Sequence, residues 1–129
     1  MEQDTKKQRI LLIEDDVFMI DLLANEFVNA GFLITIAKTG KEGVEKFEET
    51  KPDLIILDLL LPDQDGFDTL RQIRRKANGM ETKVMILSNI AEESNKEEAK
   101  RLGALDYMVK SNLPLADILA HIKTVLAKE

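Results

Sequence analysis

Pro52-Asp53-Leu54-Ile55-Ile56-Leu57-Asp58-Leu59-Leu60-Leu61-Pro62-Asp63-Gln64-Asp65-Gly66 is the stretch whose reading decides the fold. Leu54 to Leu57 is an unbroken aliphatic run with a proline just ahead of it. Such a run reads as a strand buried on both faces, as in the centre of a parallel sheet. It stops at a carboxylate, Asp58, and a loop with turn chemistry follows from Leu61 to Gly66. Three more apolar runs end the same way. Ile10 to Ile13 meets Glu14-Asp15-Asp16, Val84 to Leu87 meets Ser88, and Tyr107 to Val109 meets Lys110.

Amphipathic stretches alternate with these runs. Asp16 to Ala30 has helical spacing, with Ile20, Leu23, Phe27 and Ala30 on one face and Gly31 as its stop. A strand follows over Phe32 to Ala37. Thr39 to Glu42 fits a capping box, so a helix runs from there to about Glu49. Further helices are expected over Phe67 to Lys76 and Ala91 to Leu102, the latter with a second possible cap at Ser94 to Glu97. Strands are expected at Arg9 to Ile13 and Leu105 to Val109. Pro114 opens a last helix that carries Leu115, Ile118, Leu119, Ile122 and Val125 at core spacing. This is an α/β chain of five β-α units, 1–129 as a single domain with a polar extension over about 1–8. Right-handed crossovers put helices on both faces of the sheet. The flavodoxin-like strand order 2-1-3-4-5 sets the strands ending in Asp15 and Asp58 side by side.

Composition narrows the function. The 129 residues are 44% hydrophobic and 33% charged, the profile of a soluble globular domain. The apolar stretches are too short to span a bilayer, and the polar start from Met1 to Arg9 reads as no signal peptide. There is no cysteine, so a reducing cytoplasm is the expected setting. A net charge of −6 argues against direct nucleic-acid binding, which needs clustered Lys and Arg.

Parallel strands bring their carboxyl ends to one edge, where open α/β sheets bind ligands. Asp15 and Asp58, with Glu14 beside them, would repel one another unless a cation sits between them. Hard oxygen ligands in an incomplete cage suit Mg²⁺. Asp58 is the candidate nucleophile, because a carboxylate can accept a phosphoryl group as an acyl phosphate. That transfer needs charge neutralisation more than covalent help, and Lys110 and the metal supply it. Ser88 can donate to a phosphoryl oxygen. Asp16, directly ahead of a helix, reads as a cap. An aspartyl phosphatase would need a second aspartate where Leu60 stands. A flavin carrier would need a phosphate loop where Asp15-Asp16-Val17 stands.

These motifs together resemble the response-regulator receiver domain, the phosphoacceptor half of two-component signalling. Ile10 to Asp16 resembles the family's acidic first-strand motif, and Asp53 to Phe67 its phosphorylation-site motif, proline included. Met85 to Ser88 resembles the strand ending in the switch hydroxyl, and Gly103 to Lys110 the segment with the switch aromatic, Tyr107, and the lysine. The resemblance runs from about Arg9 to Leu126 and implies a chemotaxis-regulator-like switch rather than an enzyme with a separate substrate. Asp58 would take phosphate from a phosphohistidine on a sensor histidine kinase or phosphotransfer protein. Asp15, Asp58 and the Leu60 carbonyl would bind Mg²⁺, with Glu14 acting through a metal-bound water. Lys110 would pair with Asp58, then with the phosphoryl group. Ser88 and Tyr107 would move together and repack the face of the fourth helix, fifth strand and fifth helix. An output partner or a second receiver would dock there.

Two positions depart from the family pattern. Asn89 follows the switch hydroxyl where a small residue is usual, and Ser111 follows the lysine where proline is usual. A phosphorylation-independent interaction module is the alternative. Leu60 and Ile90 flank the path of an attacking water, and neither can orient one, which implies slow self-dephosphorylation. The methionines read as core filler, His121 as a helix residue away from the cleft, and Lys96, Lys100 and Arg101 as a solvated face. The chain ends shortly after its last helix, as either a stand-alone receiver or the receiver of a longer regulator.

Overall fold

In a computed structural model, which describes residues 7–112 and 114–127, the expected β-α alternation is present throughout. The elements are β1 (Arg9–Ile13), α1 (Val17–Asn29), β2 (Leu33–Ala37), α2 (Gly40–Thr50), β3 (Leu54–Leu57) and α3 (Gly66–Arg74). They continue with β4 (Lys83–Ser88), α4 (Glu93–Arg101), β5 (Asp106–Val109) and α5 (Leu115–Ala127), a short 3₁₀ turn over Lys110–Asn112 lying between the last two. All strand pairs are parallel and the order is β2-β1-β3-β4-β5. Most of the polar extension, 1–6, lies outside the described residues. Among those described, no helix is long and apolar enough to cross a membrane.

Alternation along each strand builds two apolar layers. Ile10, Leu12, Leu54, Ile56, Met85 and Leu87 face α1 and α5, where Ile20, Phe27, Ile118 and Ile122 meet them. Leu11, Ile13, Ile55, Leu57, Val84 and Ile86 face the other way, against Phe47, Leu70, Ile73 and Ala99. Residues of both sets on β3 are buried, which is why its sequence has no polar alternation.

Local chemistry fixes most helix starts. Asp16 caps α1 by accepting from the Phe18 and Met19 N–H groups. Thr39 Oγ1 accepts from Glu42 N–H, while the Glu42 carboxylate reaches back to Lys38 N–H rather than to the cap residue itself. Gly31 has φ +97°, the left-handed region that glycine enters without steric cost.

Several expectations are corrected. Ala30 is the exposed C-cap of α1, not part of its buried face. Neither Ala91 nor the possible cap at Ser94 opens α4, which begins after Glu92 without a side-chain cap bond. Its one buried residue is Ala99, so its sequence carries little amphipathic signal. Pro114 lies just ahead of α5 and accepts from Ile118 N–H through its carbonyl. Met85 and Met108 are core residues, but Met80 is 74% exposed in the turn before β4.

Candidate functional site

Register brings the strand ends together. Ile13 lies opposite Leu57, so Glu14 and Asp58 emerge at one level, with Asp58 N–H donating to the Ile13 carbonyl. Ser88 closes β4 opposite Val109, and Lys110 follows directly. Carboxylate oxygens of Glu14, Asp15 and Asp58 lie within 4.8 Å of one another. Glu14 and Asp58 are buried, whereas Asp15 is exposed at the mouth.

Lys110 Nζ stands 2.7 Å from Glu14 Oε1 and 3.3 Å from Asp58 Oδ2. Its nearer partner is therefore Glu14, although the resemblance pairs it with Asp58. Asp58 is held by a second bond, as its Oδ1 accepts from Leu60 N–H. Glu14 Oε2 likewise accepts from Asp16 N–H. Burial, helped by the Asp58 charge and opposed by Lys110, pushes the Glu14 carboxyl up to about 7. Burial alone would lower the Lys110 ammonium, but its Glu14 bond and the Asp58 charge outweigh that and raise it. Three carboxylates thus face one ammonium. An all-oxygen set of this kind could hold a divalent metal ion.

Ser88 is fully buried, and its Oγ accepts from Ile90 N–H. Tyr107, half-buried against the α2–α3–α4 layer, donates its hydroxyl to the Ile90 carbonyl. Burial, then the Asp58 and Glu92 charges, raise its pKa. The Ile90 peptide therefore joins the two switch candidates. Leu60 and Ile90 line a groove of about 440 Å³ along with Pro62, Phe67 and Asn95. Asn89 and Ser111 are exposed, and the Lys110–Ser111 bond is trans, with no cis bond among the described residues.

The response regulator receiver domain model matches residues 10–123. The chain belongs to that family. It is 33% identical over 120 residues to the probable transcriptional regulatory protein SilR of Salmonella typhimurium, covering 93% of this chain and 51% of that protein. It is 31% identical to the chemotaxis protein CheY of Thermotoga maritima, covering 83% of this chain and 88% of that one. Among solved structures, the receiver domain of a Pseudomonas aeruginosa sensor histidine kinase, with magnesium coordinated in its active site cleft, superposes with a TM-score of 0.84. That match has 25% identity and covers 95% of this chain and all of the other. The chain spans about half the length of the transcriptional regulators it matches. Receiver domains are phosphoacceptors in signalling, and the fold is the CheY-like, flavodoxin-like one.

Outside the cleft, His121 pairs with Asp106 at 2.9 Å on the surface of α5. Arg101 is exposed and bonds Glu98 within its own helix. Two residues near the loops were not singled out by sequence reading. Asp63, in the loop after β3, bonds the start of α2, and Arg74 is buried among carbonyls at the other end of the sheet. Both contacts link segments far apart in the chain, and no spacing rule signals them.

Proposed function

We propose that this receiver domain is a phosphorylation-driven signalling switch in which Asp58 is the phosphoacceptor. An Asp58 oxygen forms the new P–O bond as the N–P bond of a kinase or phosphotransfer-protein phosphohistidine breaks. The imidazole leaves with the electron pair. The observation that carries this reading is the convergence of Glu14, Asp15 and Asp58 on one point, with Lys110 in contact. Asp15, Asp58 and the Leu60 carbonyl would hold Mg²⁺, with Glu14 acting through a metal-bound water; Mg²⁺ is the ion named for the Pseudomonas relative. Bound there, it would offset the charge on the phosphoryl oxygens. Lys110 neutralises the same charge from the β5 side, exchanging its Glu14 contact for the phosphoryl group.

Ser88 donates to the phosphorylated site, and Tyr107 follows through the Ile90 peptide that both now contact. The movement repacks the α4–β5–α5 face for an output partner or a second receiver, a two-state equilibrium biased by local charge. The setting is the cytoplasm. Aliphatic Leu60 and Ile90 at the groove give the acyl phosphate a long lifetime, minutes to hours.

Incubation with Mg²⁺ and acetyl phosphate, followed by intact mass, tests the reading. The wild type gains one phosphoryl mass and Asp58→Asn gains none. Absence of that gain, with no Mg²⁺-dependent response to beryllofluoride, would instead mark a phosphorylation-independent interaction module.

A further inference from the structure

The loop between β3 and α3 carries Leu60, a residue that is 61% exposed. Packing of that side chain therefore does little to fix its carbonyl. The base of the loop is closed by an antiparallel bridge between Leu60 and Asp65 and by Gly66 N–H donating to the Leu59 carbonyl at 2.8 Å. Gly66 permits this closure, because a Cβ there would sit 2.5 Å from the Asp58 carbonyl oxygen.

The tip is held from outside. Asp63 Oδ1 accepts from Gly40 N–H at 2.7 Å and Oδ2 from Lys41 N–H at 3.0 Å. With Thr39 on Glu42 N–H, side chains satisfy the first three N–H groups of α2, and Asp63 supplies two of those bonds from 23 and 22 residues away. Slight burial works against the Asp63 charge, but these bonds outweigh it and hold the carboxyl below its usual range. The positive end of α2 favours the same charge. Beside it, Gln64 accepts from Gln72 of α3 and lies so close to Gly40 that a Cβ there would overlap it.

We propose that Asp63 is a positioning residue for the divalent ion: by docking the loop tip on the α2 N-terminus it holds the Leu60 carbonyl at the site. This rests on the metal ligation set out under the proposed function. A backbone ligand is only as well placed as its loop, and Mg²⁺ tolerates little departure from its preferred geometry. Residues behind a ligand commonly cost a metal site 10-fold or more when removed.

Calorimetric titration of Mg²⁺ into the wild type, Asp63→Ala and Asp63→Asn tests it. Asp63 is exposed, so both variants fold. Asp63→Ala weakens Mg²⁺ binding on the order of 10-fold and speeds amide exchange at Gly40 and Lys41. Asp63→Asn keeps an acceptor oxygen and recovers most of the affinity, although it lacks the charge. Equal affinity in the wild type and Asp63→Ala overturns the proposal, and so does an Asn variant as weak as the Ala variant, which would reduce the effect to distant charge. The titration needs no phosphoryl donor. Failure of Asp58 to gain phosphate therefore leaves it interpretable, and its own failure leaves the Asp58 reading intact.

Discussion

Lys110 at the carboxyl edge of the sheet and Arg74 at the amino edge are both cations with largely buried side chains. Their surroundings differ in kind. Arg74 donates to four backbone carbonyls: Gly79 and Thr82 ahead of β4, and Leu102 and Gly103 ahead of β5. Those acceptors are neutral, and burial lowers the guanidinium pKa. Lys110 instead faces a surplus of carboxylates. Arg74 therefore latches α3 to the start of β4 and the end of α4. At the carboxyl edge negative charge is left over, and a second cation could use it.

The sharpest way to break this contrast is to remove each cation. Arg74→Met strands four carbonyls and should cost ~3–5 kcal/mol, read as a shift of the urea unfolding midpoint. The folded fraction should still take phosphate from acetyl phosphate. A loss under ~1 kcal/mol would mean that the latch is ornamental. Lys110→Met leaves carboxylates facing one another, at ~1–3 kcal/mol in metal-free buffer. Mg²⁺ should restore more thermal stability to this variant than it adds to the wild type. Equal Mg²⁺ shifts in the two proteins would sink the idea that the edge carries surplus charge.

A smaller effect comes from pH. The Glu14 carboxyl is raised from 4.5 to about 7 by burial and Asp58, against Lys110. Between those values the native state binds more protons than the unfolded chain, so stability falls as pH rises through this window and levels off above it. Lys110, itself raised, stays charged throughout. Urea midpoints of metal-free protein at pH 5 and pH 7.5 should show the decline, and Glu14→Gln should flatten it. An unchanged slope in that variant would assign the decline to another group.

Much of the carboxyl edge was legible in the sequence. Continuous aliphatic runs revealed the strands, and the polar residue stopping each run marked a strand end. Asp16 and Thr39 announced their helices through capping chemistry that spans two or three residues. The start of α4 was not legible, because a helix with Ala99 as its one buried residue leaves little periodic trace. Nothing in the local spacing marks Asp63 or Arg74 for the contacts they make. Tyr107 could be read as a switch aromatic, but its bond to Ile90 could not.

The sequence by itself therefore determined the β-α alternation, the two-sided burial of the central strand and the chemical identity of each strand end. Periodicity and capping are local, so they survive in one dimension. Tertiary structure alone decided that Lys110 sits nearer Glu14 than Asp58, that Asp63 docks its loop on α2, and that Arg74 finds four carbonyls. Each of those contacts depends on strand register and on where separate loops come to lie, and neither is written in the spacing of any one element.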